Sequence, residues 1–446
     1  MHTPVKQYLG FFRKQLTMWQ AVALIVSATI GAGVLGIPYA VAQVGVLPGV
    51  LLIVALGIAM MIMHVLLATV CAHTGKSLQL VGLARTYLGR TGEVIMMFAF
   101  YVSMLSGMLI YIIGVGETLA AMFGGSAFVF SVGFWIFASL LVMRGIKTMK
   151  TVELVLSLGM LLIIFFMSAV SAPHISVENL MFYDLAKFAI PYGVSLFAFS
   201  AVSAVPEAHA LLPKKKKQFT KAVILAGSIT TVLYALFAFM IVSVTGGQTT
   251  QIATIGLGSV VGPQMVYLGN AFAVIAMATS FLLVGLALKH SCEWDLSFSK
   301  RVSGVVVLGL PLLLFTLGIT SFIGVLGAVG GILVSIQMIL VVLIFIKALH
   351  IGDVYMKPSR AVSVKVLSIV LLLLDPKYHL IYSWFHPRIR VSNVSLFSEP
   401  PHIFLFRDVS EFSCFFVIVI EILHLLFIIH CIHSPQHIFP YCWSMF

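Results

Sequence analysis

Long apolar runs follow one another almost from end to end of this chain. Most are close to the roughly 20 residues that a helix needs to cross a hydrocarbon layer. They read as spans over residues 18–44, 46–71, 93–120, 127–143, 152–172, 188–212, 220–245, 263–288, 303–319, 321–346 and a short one over 361–374. Such runs leave few folds open, because backbone in lipid must satisfy its own hydrogen bonds, and a helix does so within one segment. Charged residues make up 9% of the chain and apolar residues 61%. Soluble domains carry about 25% and about 45–50%, so a soluble globule is excluded, and so is disorder, which needs the opposite balance. The expected class is an all-α polytopic membrane protein of about 11 spans.

The basic residues orient it. With the N-terminus in the cytoplasm, the segments on that side carry 20 lysines and arginines up to residue 360, and the other side carries only Lys187. That asymmetry is the positive-inside pattern. The net charge of +12 therefore reports topology and implies no nucleic acid partner. The run Lys214–Lys217 reads first as a topology determinant. A site for anionic lipid, at about 1 kcal/mol per residue, is its alternative. Residues 1–17 form a short cytoplasmic segment with Lys6, Arg13 and Lys14. The apolar run behind it is too long for a cleaved leader and doubles as the first span. Five cysteines form no CxxC pair, so neither a disulfide framework nor a zinc site is expected.

Two spans depart from plain lipid-facing helix. The first holds Gly31, Ala32, Gly33, Gly36 and Pro38. The sixth holds Ser200, Ala201, Ser203, Ala204 and Pro206. The prolines are 168 residues apart with five spans between them, so the two segments cross in opposite directions. Proline removes a donor and disfavours helix before it, and glycine weakens helix further. Paired interrupted spans at corresponding places in two halves mark the binding site of a secondary transporter. Freed N–H groups there can hold a carboxylate, and freed C=O groups a cation. A small-residue packing surface with a proline kink is the alternative.

The stretch Thr29-Ile-Gly-Ala-Gly-Val-Leu-Gly-Ile-Pro-Tyr-Ala40 resembles the first helix of the amino acid/auxin permease family and of the related prokaryotic aromatic amino acid permeases. Val205-Pro-Glu-Ala208, the stretch Leu268–Phe281 and Gly285-Leu-Ala-Leu-Lys289 resemble that family's sixth and eighth helices. The resemblance covers about residues 15–372. It implies a five-plus-five inverted-repeat fold: repeats over 18–172 and 173–347, then a loop and partial eleventh span over 348–374. It implies that backbone at Gly31, Ala32 and Gly33 binds the α-carboxylate of an amino acid. Phe199, Ser200 and Ala201 would supply carbonyls for the amino group and one pocket wall. Sodium-coupled relatives place a cation between the first and eighth helices, at positions that match Ser27, Ile30, Ala276, Thr279 and Ser280. Back-bonding of the two hydroxyls to their own helix is the alternative.

Ionisable residues within spans are functional candidates. Glu207 follows Pro206 and is a proton-relay candidate, or else a residue near the cytoplasmic end neutralised by Lys214–Lys217. His64 reads as a packing residue with its hydrogen bonds satisfied, Asn270 as a link between helices, and Tyr101 and Tyr111 as side chains that could face the pocket. No catalytic motif, P-loop or metal spacing occurs within the spans, so no enzyme activity and no cofactor are expected. The energy would come from a coupled H+ or Na+, worth about 2.3 kcal/mol per charge per 100 mV. Residues 375–446 hold seven of the 14 histidines and three of the five cysteines. They match neither the family nor any amphipathic pattern, and read as a frameshift product or a chain-specific extension with a twelfth span. The expected function is ion-coupled import of amino acids, aromatic or large neutral ones first, from the lipid bilayer of a plasma (inner) membrane. The alternatives are a non-transporting amino acid receptor on the same fold, and a carrier of another small amine or carboxylate.

Overall fold

The structure is a computed structural model. It describes residues 17–74, 78–144, 159, 162–181, 184, 187–212, 216–294 and 299–351. All of these lie in the first of two units, 1–376 and 377–446. The eleventh run (361–374) and the atypical segment 375–446 lie outside the described residues, as does most of segment 1–17.

Each of the first ten predicted spans contains helix. The first is two helices, α1 (Met18–Thr29) and α2 (Ala32–Val44), bent by 57° at their junction. Then come α3 (Val46–His73), α4 (Leu80–Phe123), α5 (Ala127–Arg144), α6 (Leu162–His174) and the short α7 (Val177–Met181). The sixth run is again split, into α8 (Ala189–Ala198) and α9 (Ala204–Leu211). It is followed by α10 (Lys216–Thr245), α11 (Ala253–Val261), α12 (Pro263–Trp294) and α13 (Lys300–Thr316). The tenth run comprises α14 (Phe322–Ala328), a π-helical turn (Val329–Val334) and α15 (Ser335–Ile351). Six of the described helices are long and apolar enough to cross a membrane alone, and seven cross if α1 and α2 count as one bent span. Their outer faces are apolar, with Leu47, Phe98, Phe137 and Phe165 well exposed, as lipid requires.

The two halves repeat one design. Each opens with a broken helix. Each also sets a short helical piece before a long helix and separates them with a glycine at positive φ. In the first half this is Gly89 (φ 70), inside α4, and in the second Gly262 (φ 125), between α11 and α12. Only glycine takes that backbone without strain. Corresponding helices of the two halves pack directly on each other, α3 on α10 and α4 on α12.

Buried polar groups tie the helices together, since an unpaired one in lipid is costly. Gln337 Nε2 donates from α15 to Ala99 O (3.0 Å) and Ser103 Oγ (2.8 Å) of α4. Trp135 Nε1 donates from α5 to Leu308 O of α13 at 2.9 Å. Lys289 Nζ reaches the carbonyl of Met143, in the last turn of α5, at 3.2 Å. Asn270 differs from expectation: it is fully buried and makes no link between helices, since neither of its polar atoms has a hydrogen-bond partner among the described residues.

The breaks themselves need a correction. The glycine and proline run of the first span is not broken throughout. Only Ile30 and Gly31 leave the helix, and Gly33, Gly36 and Pro38 lie inside α2. Those glycines serve close packing. A Cβ at Gly33 would lie 2.5 Å from Ala198 Cα, and one at Gly36 would lie 2.9 Å from Leu326 Cδ1. In the sixth span the break comes before the proline. Pro206 sits in the first turn of α9, where a missing N–H costs nothing.

Candidate functional site

The first break leaves α2 without a side-chain cap. The Ile30 N–H still closes α1 by donating to Val26 O at 2.9 Å. Gly31 lies outside the helical region (φ −139, ψ −145). The first amides of α2, at Ala32, Gly33 and Val34, have no acceptor within their own helix. They form the positive end of the α2 dipole, where an anion is favoured.

Gly31 looks onto two hydroxyls from other helices. A Cβ there would lie 3.2 Å from Ser280 Oγ of α12 and 3.3 Å from Tyr111 Oη of α4. The Tyr111 and Ser280 hydroxyls, from two different helices, meet at this point. A single methyl would crowd both, so the missing side chain at Gly31 lets the two hydroxyls pack directly on the backbone of the first break. One turn before Tyr111 on α4 lies Gly107. A Cβ there would meet only the ring of Phe197, at 3.9 Å. Gly31, Gly107, Tyr111, Phe197 and Ser280 thus surround one region beside the first break.

The second break runs from Phe199 to Ser203. The Phe199 N–H donates to Ser195 O (2.9 Å), and the Ser200 N–H donates to Phe197 O (3.1 Å). The Ala201 carbonyl accepts from Ala204 and Val205 (3.0 and 3.3 Å), which starts α9. The Ala201 N–H donates sideways to Nε2 of the buried His64 on α3, at 3.4 Å. His64 thus has a partner for its Nε2, and that partner is a residue of the break.

One side chain reaches both breaks. Tyr234 of α10 donates its hydroxyl to Thr29 O at 2.8 Å and to Ala198 O at 3.3 Å. These are the carbonyls of the last residues of α1 and α8. The Tyr234 ring lies against Phe199, with centroids 5.0 Å apart.

Some of the residues singled out in the sequence converge here and others turn away. Gly31 and Ser280 face each other. Gly33 packs on Ala198, next to Phe199. Phe199 itself points to Tyr234 and Gly57, and Phe197, two residues earlier, is the aromatic that faces α4. The Thr279 hydroxyl donates to Ile275 O (2.9 Å) and Ala276 O (3.0 Å) of its own helix. Ser27 Oγ likewise donates to Leu24 O at 3.0 Å. Ile30 and Ala276 are buried. Glu207 lies in the first turn of α9, at the helix end whose dipole favours a carboxylate. Among the described residues no group of three or more His, Cys, Asp or Glu is placed to hold a metal ion. Sequence reasoning missed Tyr234, Gly107 and Phe197. Tyr234 is one of 13 tyrosines, and no local pattern sets it apart.

The architecture is shared with solved transporters. MhsT in complex with L-phenylalanine superposes with a TM-score of 0.60 at 13% identity, over 83% of this chain and 99% of MhsT. Mhp1, a nucleobase-cation-symport-1 family transporter solved in a closed conformation with bromovinylhydantoin bound, gives 0.56 at 14% identity, over 85% and 96%. At such identities the likeness shows the fold: the five-plus-five inverted repeat with broken first and sixth helices. Sequence relatives are nearer. Glutamine transporter 2 of Aliivibrio fischeri is 26% identical over 327 residues, covering 70% of this chain and 84% of the relative. Tyrosine-specific transport system 1 of Haemophilus influenzae is 29% identical over 324 residues, covering 66% and 78%. The tryptophan/tyrosine permease family profile matches residues 14–374, which include both broken helices and every helix described above. This multi-pass membrane protein belongs to the tryptophan/tyrosine permease family.

Proposed function

We propose that the chain is a secondary active transporter that imports an amino acid by ion-coupled alternating access. One observation carries the reading. Two helices broken at membrane depth face each other, with uncapped amides at α2 and a hydroxyl pair at Gly31. Irregular backbone at that depth is tolerated where it lines a cavity, and opposed helix ends suit a zwitterion. The α-carboxylate would lie on the amides of Ala32, Gly33 and Val34, beside Tyr111 and Ser280. The amino group would face the carbonyls of Phe199 and Ser200, since the Ala201 carbonyl is already taken within α9.

Family membership and the two relatives, named for glutamine and tyrosine, support an amino acid as the cargo. The Phe197 ring across from Gly107 favours an aromatic or large neutral side chain. A carrier of this kind needs no catalytic group and no cofactor. The first-helix motif supports a place for the family within the wider amino acid/auxin permease group. For coupling, two candidates stand: a sodium ion between Ser27, Ile30, Ala276, Thr279 and Ser280, or a proton on Glu207. The basic loops support a cytoplasmic N-terminus, and an inner (plasma) membrane is the setting we propose.

The test is uptake into proteoliposomes of labelled tyrosine, tryptophan, phenylalanine and glutamine, under a sodium gradient and, separately, a proton gradient. Saturable uptake of an aromatic amino acid under one gradient is expected. Equilibrium binding without flux would replace the transporter with a receptor. Uptake of none of the four, with no binding, would refute the amino acid reading.

A further inference from the structure

We propose that Tyr234 is the positioning residue of the two breaks: its hydroxyl, with His64 working from the opposite helix, holds the segments around Gly31 and Ser200 at one spacing and makes them turn as one body. This rests on the transport reading above and adds a residue that touches no substrate.

The geometry is specific. Thr29 O and Ala198 O belong to the last residues of α1 and α8. Each is a helix C-terminus, with carbonyls that lack partners and carry partial negative charge. Two such ends brought together repel unless a donor or a cation stands between them. Tyr234 supplies the donor. Its one hydroxyl hydrogen is shared between acceptors at 2.8 and 3.3 Å, and the side chain is fully buried. The ring is fixed by Phe199, the residue that follows Ala198.

His64 acts on the other side of the second break. Its Nε2 accepts the Ala201 N–H, which requires a neutral ring with the hydrogen on Nδ1. The supporting helices α3 and α10 are themselves a packed pair, one from each half of the molecule. Each therefore sends one polar side chain to the breaks. Thr29, Ala198 and Ala201 are held within three residues of Ala32, Phe199 and Ser200, and Gly33 and Val34 follow Ala32 directly in the first turn of α2. Loosening the tie changes where those groups sit without removing any of them.

The experiment uses the full chain in proteoliposomes with labelled L-tyrosine. Tyr234→Phe keeps the ring and its contact with Phe199 and deletes only the donor. KM for tyrosine is expected to rise about tenfold (~1.4 kcal/mol), with a smaller change in maximal rate per reconstituted protein. His64→Leu should shift KM in the same direction. His64→Gln, whose side-chain carbonyl can accept the Ala201 N–H, should stay near wild type. A role in packing alone would lower the amount of protein or the maximal rate and leave KM unchanged in Tyr234→Phe, and that result overturns the proposal. Hydrogen exchange gives a second readout that needs no transport. Amides in peptides covering 27–36 and 196–206 should exchange faster in Tyr234→Phe, and unchanged exchange in both also overturns it. If wild type takes up none of the four amino acids, the transport reading fails first, and the exchange result then decides on the tie alone.

Discussion

Replacing Gly33 with alanine adds one methyl group where the structure has no room for it. The new Cβ would lie 2.5 Å from Ala198 Cα and 2.6 Å from Ala198 Cβ, whereas carbon atoms in contact prefer about 3.5–4.0 Å. The nearer atom is backbone, so no rotamer change relieves the clash, and α2 and α8 must part by about 1 Å. Overpacking of this kind costs about 1–3 kcal/mol. Against it, alanine gains up to about 1 kcal/mol over glycine within a helix. With the full helix gain the net expectation is a loss of about 0–2 kcal/mol, read as a lower melting temperature of the purified protein in detergent. Transport should fall further than stability. The shift moves the α2 amides relative to the second break, and a displacement of about 1 Å can cost on the order of a hundredfold in rate. Uptake of labelled tyrosine is therefore expected to drop ten- to a hundredfold, with membrane insertion retained. A variant that melts and transports like wild type would refute the α2–α8 contact and the role given to its spacing.

Gly107→Ala is the matched contrast: its methyl would meet only the Phe197 ring at 3.9 Å. Melting should be unchanged while competition assays show a several-fold loss of preference for aromatic over smaller amino acids, and an unchanged preference would remove Gly107 from the site. Ser280→Ala takes away a hydroxyl that faces Gly31 and should reduce uptake about tenfold, the size of one lost hydrogen bond to a charged group. Thr279→Val removes a hydroxyl committed to its own helix and should leave uptake and its cation dependence near wild type. Strong loss of sodium dependence in Thr279→Val would restore the cation site in its full form. Gln337→Leu deletes both bonds from α15 to α4 and should destabilise the protein by about 1–3 kcal/mol, visible as a lower melting temperature, with an unshifted melt counting against that tie.

Much of this molecule is legible in the sequence because lipid imposes one rule on every span. The apolar runs give helices at the expected places, and the stretch from Thr29 to Ala40 marks the broken first helix. What the sequence hides is what each small residue is for. Gly31 meets two hydroxyls, whereas Gly33 and Gly36 meet apolar neighbours, and the difference lies in partners such as Ser280, Ala198 and Leu326, far away along the chain. Thr279 and Ser280 are neighbours in sequence, but successive helix residues point about 100° apart. One hydroxyl reaches Gly31, and the other folds back. The family resemblance points to Phe199, but α8 sends Phe197 toward α4 and Phe199 toward Tyr234. Tyr234 meets Thr29 across 205 residues, a pairing that no local pattern announces.

The π-helical turn at Val329–Val334 has a mechanical consequence. Gly330 there lies so close to Gly193 of α8 that a Cβ on it would collide with the Gly193 carbonyl oxygen, and a Cβ on Gly193 would collide with the carbonyl oxygen of Gly327. At this line two rods touch on bare backbone, with no side chains interleaved. Interdigitated ridges and grooves act like gear teeth: one helix can pass another only by jumping a notch. A smooth contact acts like a journal bearing, on which α8 can roll or slide by a fraction of a turn without a barrier from changing rotamers. A methyl added at Gly193 or Gly330 would be a pawl, arresting the motion while leaving each helix intact.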